Sequence, residues 1–343
     1  MNNQLDENRI KEGVGGQAVI EGIMLRNKTH YVVAVRKQNN KIDYIKQPVE
    51  ENNSKFRNVV FVRGVINFIH MMKLGYKTLM FSANTAGLEE EKKSKKNVEM
   101  SKEKKEKKES IAMTFSMMTS LLFAIGLFIA LPYFLTNLIG ISEKDSVVVF
   151  NLIRGGIKLI IFISYLLIIS FFKDVRRVFE YHGAEHMVVN AYEHGLNPDK
   201  TNIREFTTIH PRCGTTFMFL VLTVSILLYV FTSYFVYSVI FNGVTPAKII
   251  GNLTVLAINI LLLPIVSGIS YELLRVGFKF YKFPLFRIFM IPGLALQYIT
   301  TKIPNDEEIE VALFALDKLT DTSVLDRTEE EVQEEIEKET LCS

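Results

Sequence analysis

The stretch TFMFLVLTVSILLYVFTSYFVYSVIF, residues 216–241, holds 26 residues and no charged side chain. About 20 apolar residues in a helix are enough to cross the roughly 30 Å hydrocarbon layer of a bilayer. The stretch therefore predicts a transmembrane helix and an integral membrane protein. Three more stretches predict three further spans: 111–131 and 249–271, which are also uncharged, and 147–172, which is apolar apart from Asn151, Arg154 and Lys158.

A fifth apolar stretch, residues 285–299, is shorter and contains Arg287 and Pro292. We expect an interfacial or re-entrant segment there. Asn151, Arg154 and Lys158 share one helical face of the second span, where charges are costly and usually face a cavity or the membrane interface. For Arg154 the expectation is a side chain that snorkels to the membrane surface.

Basic residues set the predicted orientation. Five lysines at 102–108 precede the first span, and six basic residues lie in the 173–214 connection, against one in each of the other two connections. Cytoplasmic loops carry the excess of Lys and Arg. The chain is thus predicted to be a multi-pass protein of a bacterial-type inner membrane, with both termini in the cytoplasm.

The N-terminal third has the alternation of a small folded unit. Residues 31–36 and 42–46 alternate around a polar turn and predict a β-hairpin, residues 59–62 suggest a third strand, and residues 64–86 have helical spacing. The predicted fold class is an α-helical membrane protein of about four transmembrane helices with a small N-terminal cytoplasmic α+β domain. Its predicted divisions are a disordered 1–12, the α+β domain 13–86, a charged linker 87–110, a membrane domain 111–303 with the His-rich loop 173–214, and a cytoplasmic amphipathic helix and acidic tail 304–343.

Composition limits the partners and the compartment. Cys213 and Cys342 are the two cysteines, too few for a disulfide framework. The net charge of +3 does not indicate nucleic acid, and residues 1–20 lack the apolar region of a signal peptide. The expected partners are the lipid bilayer and another membrane protein complex.

The candidate chemistry is concentrated in YHGAEHMVVNAYEHG, residues 181–195. His182 and His186 are one helical turn apart, so both imidazoles leave one face. Imidazole is a good ligand for zinc and similar divalent metals. The pattern H-x-x-E-H matches the inverted zincin motif, in which Glu185 would be the general base.

The third metal ligand stays open at this point. Glu193, His210 and Cys213 are the candidates, the last two from HPRCGT at 210–215. A hydrogen-bonding network that docks the loop, without metal, is the structural alternative. Glu21 is a further catalytic candidate, because we expect the glycine-rich residues 13–22 to fold back towards His182 and His210.

Four motifs together resemble the YqhQ-like bacterial membrane proteins: GGQAVIEGIMLR at 15–26, YHGAEH at 181–186, HPRCGT at 210–215, and IPGLALQYITTKIPNDEEIEVAL at 291–313. The resemblance runs from about residue 13 to residue 316. This is a family of unknown function whose members are often described as metal-dependent enzymes. It implies the motif residues Glu21, His182, Glu185, His186, His210 and Cys213.

These observations favour a zinc-type, metal-dependent enzyme that acts hydrolytically at the cytoplasmic face of the membrane. The alternative is a non-enzymatic scaffold or assembly factor for another membrane machine, which the charged linker and large polar surface also fit.

Overall fold

The structure is a computed structural model of the chain. It describes residues 6–49, 62–86, 118–120, 122–140, 147–236, 248–281, 283–323 and 326–332, with the single positions 59 and 239. The described part is mostly helical, with a small antiparallel sheet near the N-terminus.

The sheet has four antiparallel strands in the order of the chain: β1 Gly15–Val19, β2 Gly22–Arg26, β3 His30–Arg36 and β4 Ile42–Pro48. The predicted hairpin is present as β3 and β4, with Val33 opposite Ile45. The glycine-rich stretch, which we expected to fold back towards His182 and His210, forms β1 and β2. The suggested strand at 59–62 lies largely outside the described residues, and its last position, Val62, begins a helix.

Both faces of the sheet are covered. One face packs on α2, Val62–Thr85, through residues such as Met24, Val33 and Leu74. The other face contributes Ile23 and Leu25 to a core shared with two helices from much later in the chain, α5 at Lys173–Glu193 and α9 at Asp306–Thr320. Strand residues of alternating direction thus face two different helical layers.

Among the described residues, four helices are long and apolar enough to cross a membrane. These are α3 at Met118–Leu138, α4 at Val147–Ile169, α6 at Gly214–Phe235 and α7 at Lys248–Lys279. The first span was predicted at residues 111–131. Of these, residues 111–117 lie outside the described residues. The helix continues beyond the predicted end to Leu138. Part of α3, Gly126–Ala130, is π-helical.

Two further helices place the site. The apolar stretch near 285–299 is the helix α8, Pro284–Thr300, which packs along α6. The amphipathic helix predicted within residues 304–343 is α9, and it begins with a capping box formed by Asn305 and Glu308. α2 crosses α7 where Gly64 meets Gly268 and Arg63 pairs with Glu272 at 2.6 Å.

The prediction that residues 1–12 are disordered is wrong for Glu7–Glu12, which forms the short helix α1. The Asp6 carboxylate caps this helix by accepting from Asn8 N at 2.9 Å. Arg9 donates to the Leu196 carbonyl oxygen at 2.5 Å, so the helix is held against the end of α5. That contact is distant in sequence, and a polar composition does not reveal it.

Candidate metal centre

The histidine motif lies on helix α5, where this helix packs against three other segments of the chain. Its second half is buried from Gly183 onward. A Cβ at Gly183 would overlap the carbonyl oxygen of Lys302, so glycine is what permits this close approach. The Lys302 amide in turn donates to the Phe179 carbonyl at 2.8 Å. The segment after α8 is therefore held directly against the first histidine.

Three ligand atoms converge at this point. His182, His186 and Cys213 each offer one, and the three atoms lie within 4.8 Å of one another. The Cys213 Sγ is 3.3 Å from His182 Nε2. Tetrahedral zinc, with Zn–S about 2.3 Å and Zn–N about 2.1 Å, separates two ligands by about 3.6 Å. The spacing and the chemistry of the donors both fit a zinc-type ion. We call these three residues the thiol–imidazole cluster.

The outer nitrogens of both histidines are bound to backbone carbonyls. His182 Nδ1 lies 2.9 Å from the Thr300 oxygen, and His186 Nδ1 lies 2.5 Å from the Thr208 oxygen. A carbonyl accepts only, so each Nδ1 carries the proton and each Nε2 keeps its lone pair. This is the arrangement usual for metal-ligating histidines, whose second nitrogen is fixed by a hydrogen bond.

Glu185 stands beside this cluster. One of its carboxylate oxygens is 3.5 Å from His186 Nε2, and the residue is 4% exposed. Burial raises the pKa of Glu185, against the lowering effect of the nearby histidines and Arg212 and of a hydrogen bond from the Gly16 amide. A buried carboxyl with a raised pKa is suited to taking up and releasing a proton.

The other two candidates for the third ligand, Glu193 and His210, pair with each other instead. His210 Nε2 is 3.2 Å from a Glu193 oxygen, and Arg212 contacts the second oxygen. The Arg212 amide donates to His210 Nδ1 at 3.3 Å, so both ring nitrogens are engaged. We call Glu193, His210 and Arg212 the ion-pair cluster.

Burial keeps this third histidine neutral. It lowers the pKa of His210 to about 4, with Glu185 acting in the opposite sense. Glu193 also favours the charged ring, but it shares its charge with Arg212. Since Nδ1 accepts a hydrogen bond from an amide, the neutral tautomer with its proton on Nε2 fits the contacts.

Gln297, which no sequence pattern singled out, holds the turn that carries His210, Arg212 and Cys213. It is fully buried, accepts from the His210 amide at 2.8 Å, and donates to the His210 carbonyl at 2.8 Å and to Thr216 at 3.0 Å. Its sequence signal was one amide side chain inside the apolar stretch LALQYI.

The glycine-rich stretch docks on α5 as expected. The Val14 carbonyl accepts from Arg212 at 3.2 Å. Glu21, however, belongs to neither cluster. It occupies the turn between β1 and β2 with a positive φ of 52°, and its carboxylate pairs with Arg177 at 2.6 Å. The structure thus brings residues 14–16 to the clusters and Glu21 to the preceding part of α5. The last histidine of the motif, His194, contacts the Asn190 carbonyl at 2.7 Å.

Comparison with known proteins identifies one family and one relative of this chain. The family described as "Protein of unknown function (DUF1385)" matches residues 59–322. The chain is also 32% identical over 324 residues to "Uncharacterized protein YqhQ" of Bacillus subtilis (strain 168), covering 92% of this chain and 94% of that protein. No solved structure matches the chain. The chain belongs to this family of proteins of unknown function.

Proposed function

We propose that the protein is a zinc-type, metal-dependent hydrolase of the bacterial inner membrane, with both termini and its site on the cytoplasmic side. The observation that supports this most is the set of three converging donors whose two histidines are already fixed through Nδ1. In metal-ligating histidines the second ring nitrogen is usually fixed by a hydrogen bond in this way.

Each residue has a role in this proposal. His182, His186 and Cys213 would hold the metal, which supplies a Lewis acid and lowers the pKa of water. Glu185 would be the general base, since its carboxylate adjoins His186 and is protected from solvent. Arg212 would favour negative charge that develops nearby, because it is a cation already oriented by Glu193.

The location favours a substrate that is bound to the membrane. Cys213 caps the first turn of α6, and Thr300 ends α8, so the cluster lies level with the ends of two apolar helices. His182 is partly exposed whereas His186 and Cys213 are buried, so the approach is from the His182 side.

Metal content tests the proposal. Wild-type protein, purified in detergent without chelators, should carry about one divalent ion per chain by elemental mass spectrometry. His182→Ala and Cys213→Ala should lose it, and the matched controls His194→Ala and Cys342→Ala should retain it. Wild type without metal, or a Cys213 variant that keeps it, would remove the basis of the proposal.

A scaffold role is the second candidate. α2 carries an exposed apolar row, including Ile69, Met72 and Tyr76, which are 50–59% exposed and suit contact with another protein or lipid. Glu185→Gln separates the two functions. The variant should reach normal membrane levels and bind metal but fail to complement a deletion strain if the site is catalytic, whereas a scaffold should tolerate it.

A further inference from the structure

A second polar feature lies inside the helical bundle, in the half away from the thiol–imidazole cluster. A partly open cavity of about 510 Å³ lies between α3, α4, α6 and α7. Arg154 and Lys158 of α4 line it, about 10 and 16 Å along the helix from Val147 at 1.5 Å per residue. The cluster near His182, in contrast, lies beyond the other end of α4.

The polar groups of this cavity favour a negative charge. Arg154 and Lys158 are one turn apart, and like charges at that spacing repel each other. Of the described residues that line the cavity, none is acidic. The Lys158 ammonium lies 5.4 Å from the centroid of the Tyr229 ring, which holds it within the bundle. Bringing an anion between the two cations would relieve their repulsion.

Asn259 adds an oriented donor. Its side-chain oxygen accepts a hydrogen bond from the Thr232 hydroxyl at 2.8 Å, so its NH₂ group is available to donate. Asn259 is 7% exposed and lines the same cavity. A buried amide donor beside two cations is suited to phosphate oxygens, which accept hydrogen bonds.

The rest of the wall is apolar and irregular. Phe128 and Ile129 line the cavity from the π-helical part of α3, and Ile226 and Leu263 line it from α6 and α7. π-helical turns inside helices are frequent at functional sites. The cavity volume lies within the range of about 300–1,000 Å³ common for ligand pockets. Its occupant should therefore be amphipathic, with an anionic end and a hydrocarbon end.

From these contacts we infer that the cavity binds an anionic phospholipid from the bilayer. The phosphate lies between Arg154 and Lys158 and accepts from Asn259, and an acyl chain follows the wall formed by Phe128, Ile129 and Leu263. Ionisable residues within a membrane span usually face a cavity or a partner and mark a functional site. This inference does not depend on the metal centre.

Lipid binding to the detergent-purified full chain tests it. In native mass spectrometry, phosphatidylglycerol should bind about tenfold or more tightly than phosphatidylcholine. The double variant Arg154→Gln/Lys158→Gln should lose that preference, because a hydrogen bond to a charged group is commonly worth about a factor of ten. Arg154→Lys/Lys158→Arg should keep it. Lys279→Gln is the matched control, since Lys279 lies 5.4 Å from the Phe280 ring and does not line the cavity.

Two outcomes would overturn the inference. One is a folded double variant that binds phosphatidylglycerol as the wild type does. The other is inorganic phosphate that competes fully with the lipid, which would make the ligand a free phosphate. If the double variant does not fold, crosslinking of photoactivatable phosphatidylglycerol to the wild-type protein tests the inference instead. Crosslinks should map to the wall residues Ile129 and Ile226, and crosslinks confined to the outer surface of the bundle would contradict the inference.

Discussion

Two neighbouring groups of side chains differ in what their histidines are bound to. In the thiol–imidazole cluster, Nδ1 of His182 and of His186 donates a hydrogen bond to a backbone carbonyl, and each Nε2 faces Cys213. In the ion-pair cluster, both nitrogens of His210 are engaged, one by Glu193 and one by an amide. A histidine is positioned to bind a metal when one ring nitrogen is held by a hydrogen bond and the lone pair of the other nitrogen is available for coordination. By that criterion His210 is structural.

The largest expected effect comes from breaking the ion-pair cluster. Glu193→Ala leaves the mostly buried Arg212 without its carboxylate and His210 Nε2 without an acceptor. Removing one partner of a buried pair costs about 3–5 kcal/mol. Thermal unfolding in detergent should show a large decrease in the melting temperature, with Glu7→Ala, at an exposed pair, as the control. Metal content should stay near the wild-type value, and its loss would mean that Glu193 is a ligand.

The same cluster should make stability depend on pH. The pKa of His210 is about 4 in the fold against 6.5 for a free side chain, so folding favours the neutral ring. Its contribution is complete above pH 6.5 and is lost as the pH falls towards 4, and it amounts to at most about 3 kcal/mol. His210→Gln should flatten the decrease in melting temperature between these pH values. An unchanged slope would show that other groups dominate it.

A smaller effect is expected where α5 meets the segment that follows α8. Gly183→Ala places a methyl group against the Lys302 carbonyl and displaces backbone on one side of His182. Overpacking of this kind costs about 1–3 kcal/mol. Gly156→Ala, where a Cβ meets nothing within 4 Å, is the matched control and should not lower the melting temperature. Equal melting temperatures for the two variants would show that the backbone at Lys302 moves away from the new methyl group at little cost in free energy.

The smallest effect is expected at Glu21. It pairs with Arg177 with side chains 28% and 37% exposed, and pairs of that exposure contribute about 0.2–1 kcal/mol. A double-mutant cycle of Glu21→Gln and Arg177→Gln should give a coupling energy in that range. Metal content should not change. A Glu21→Gln variant that loses metal would place this carboxylate in the functional site after all.

The sequence predicted the features that depend on local periodicity. Long apolar stretches predicted four apolar helices, alternation predicted β3 and β4, and the spacing of His182 and His186 predicted a shared face. The strands β1 and β2 were missed because glycines carry little strand propensity, and their pairing is set by the β3 residues that they face.

The site could be predicted only in part. Cys213, Glu193 and His210 were equivalent candidates, because the choice depends on how the start of α6 meets α5. Thr208 and Thr300 fix the histidines through backbone carbonyls, which no side-chain pattern can reveal. Gln297 was missed because one amide in an apolar helix carries no periodic signal.

The most direct test of zinc binding by His182, His186 and Cys213 is X-ray absorption at the zinc edge on purified protein. We expect one sulfur at about 2.3 Å and at least two imidazole nitrogens at about 2.0–2.1 Å. The sulfur shell should disappear in any residual metal of Cys213→Ser and remain in Cys342→Ser. A spectrum of oxygen and nitrogen ligands alone in the wild type, or a sulfur shell that survives Cys213→Ser, would show that Cys213 is not a zinc ligand.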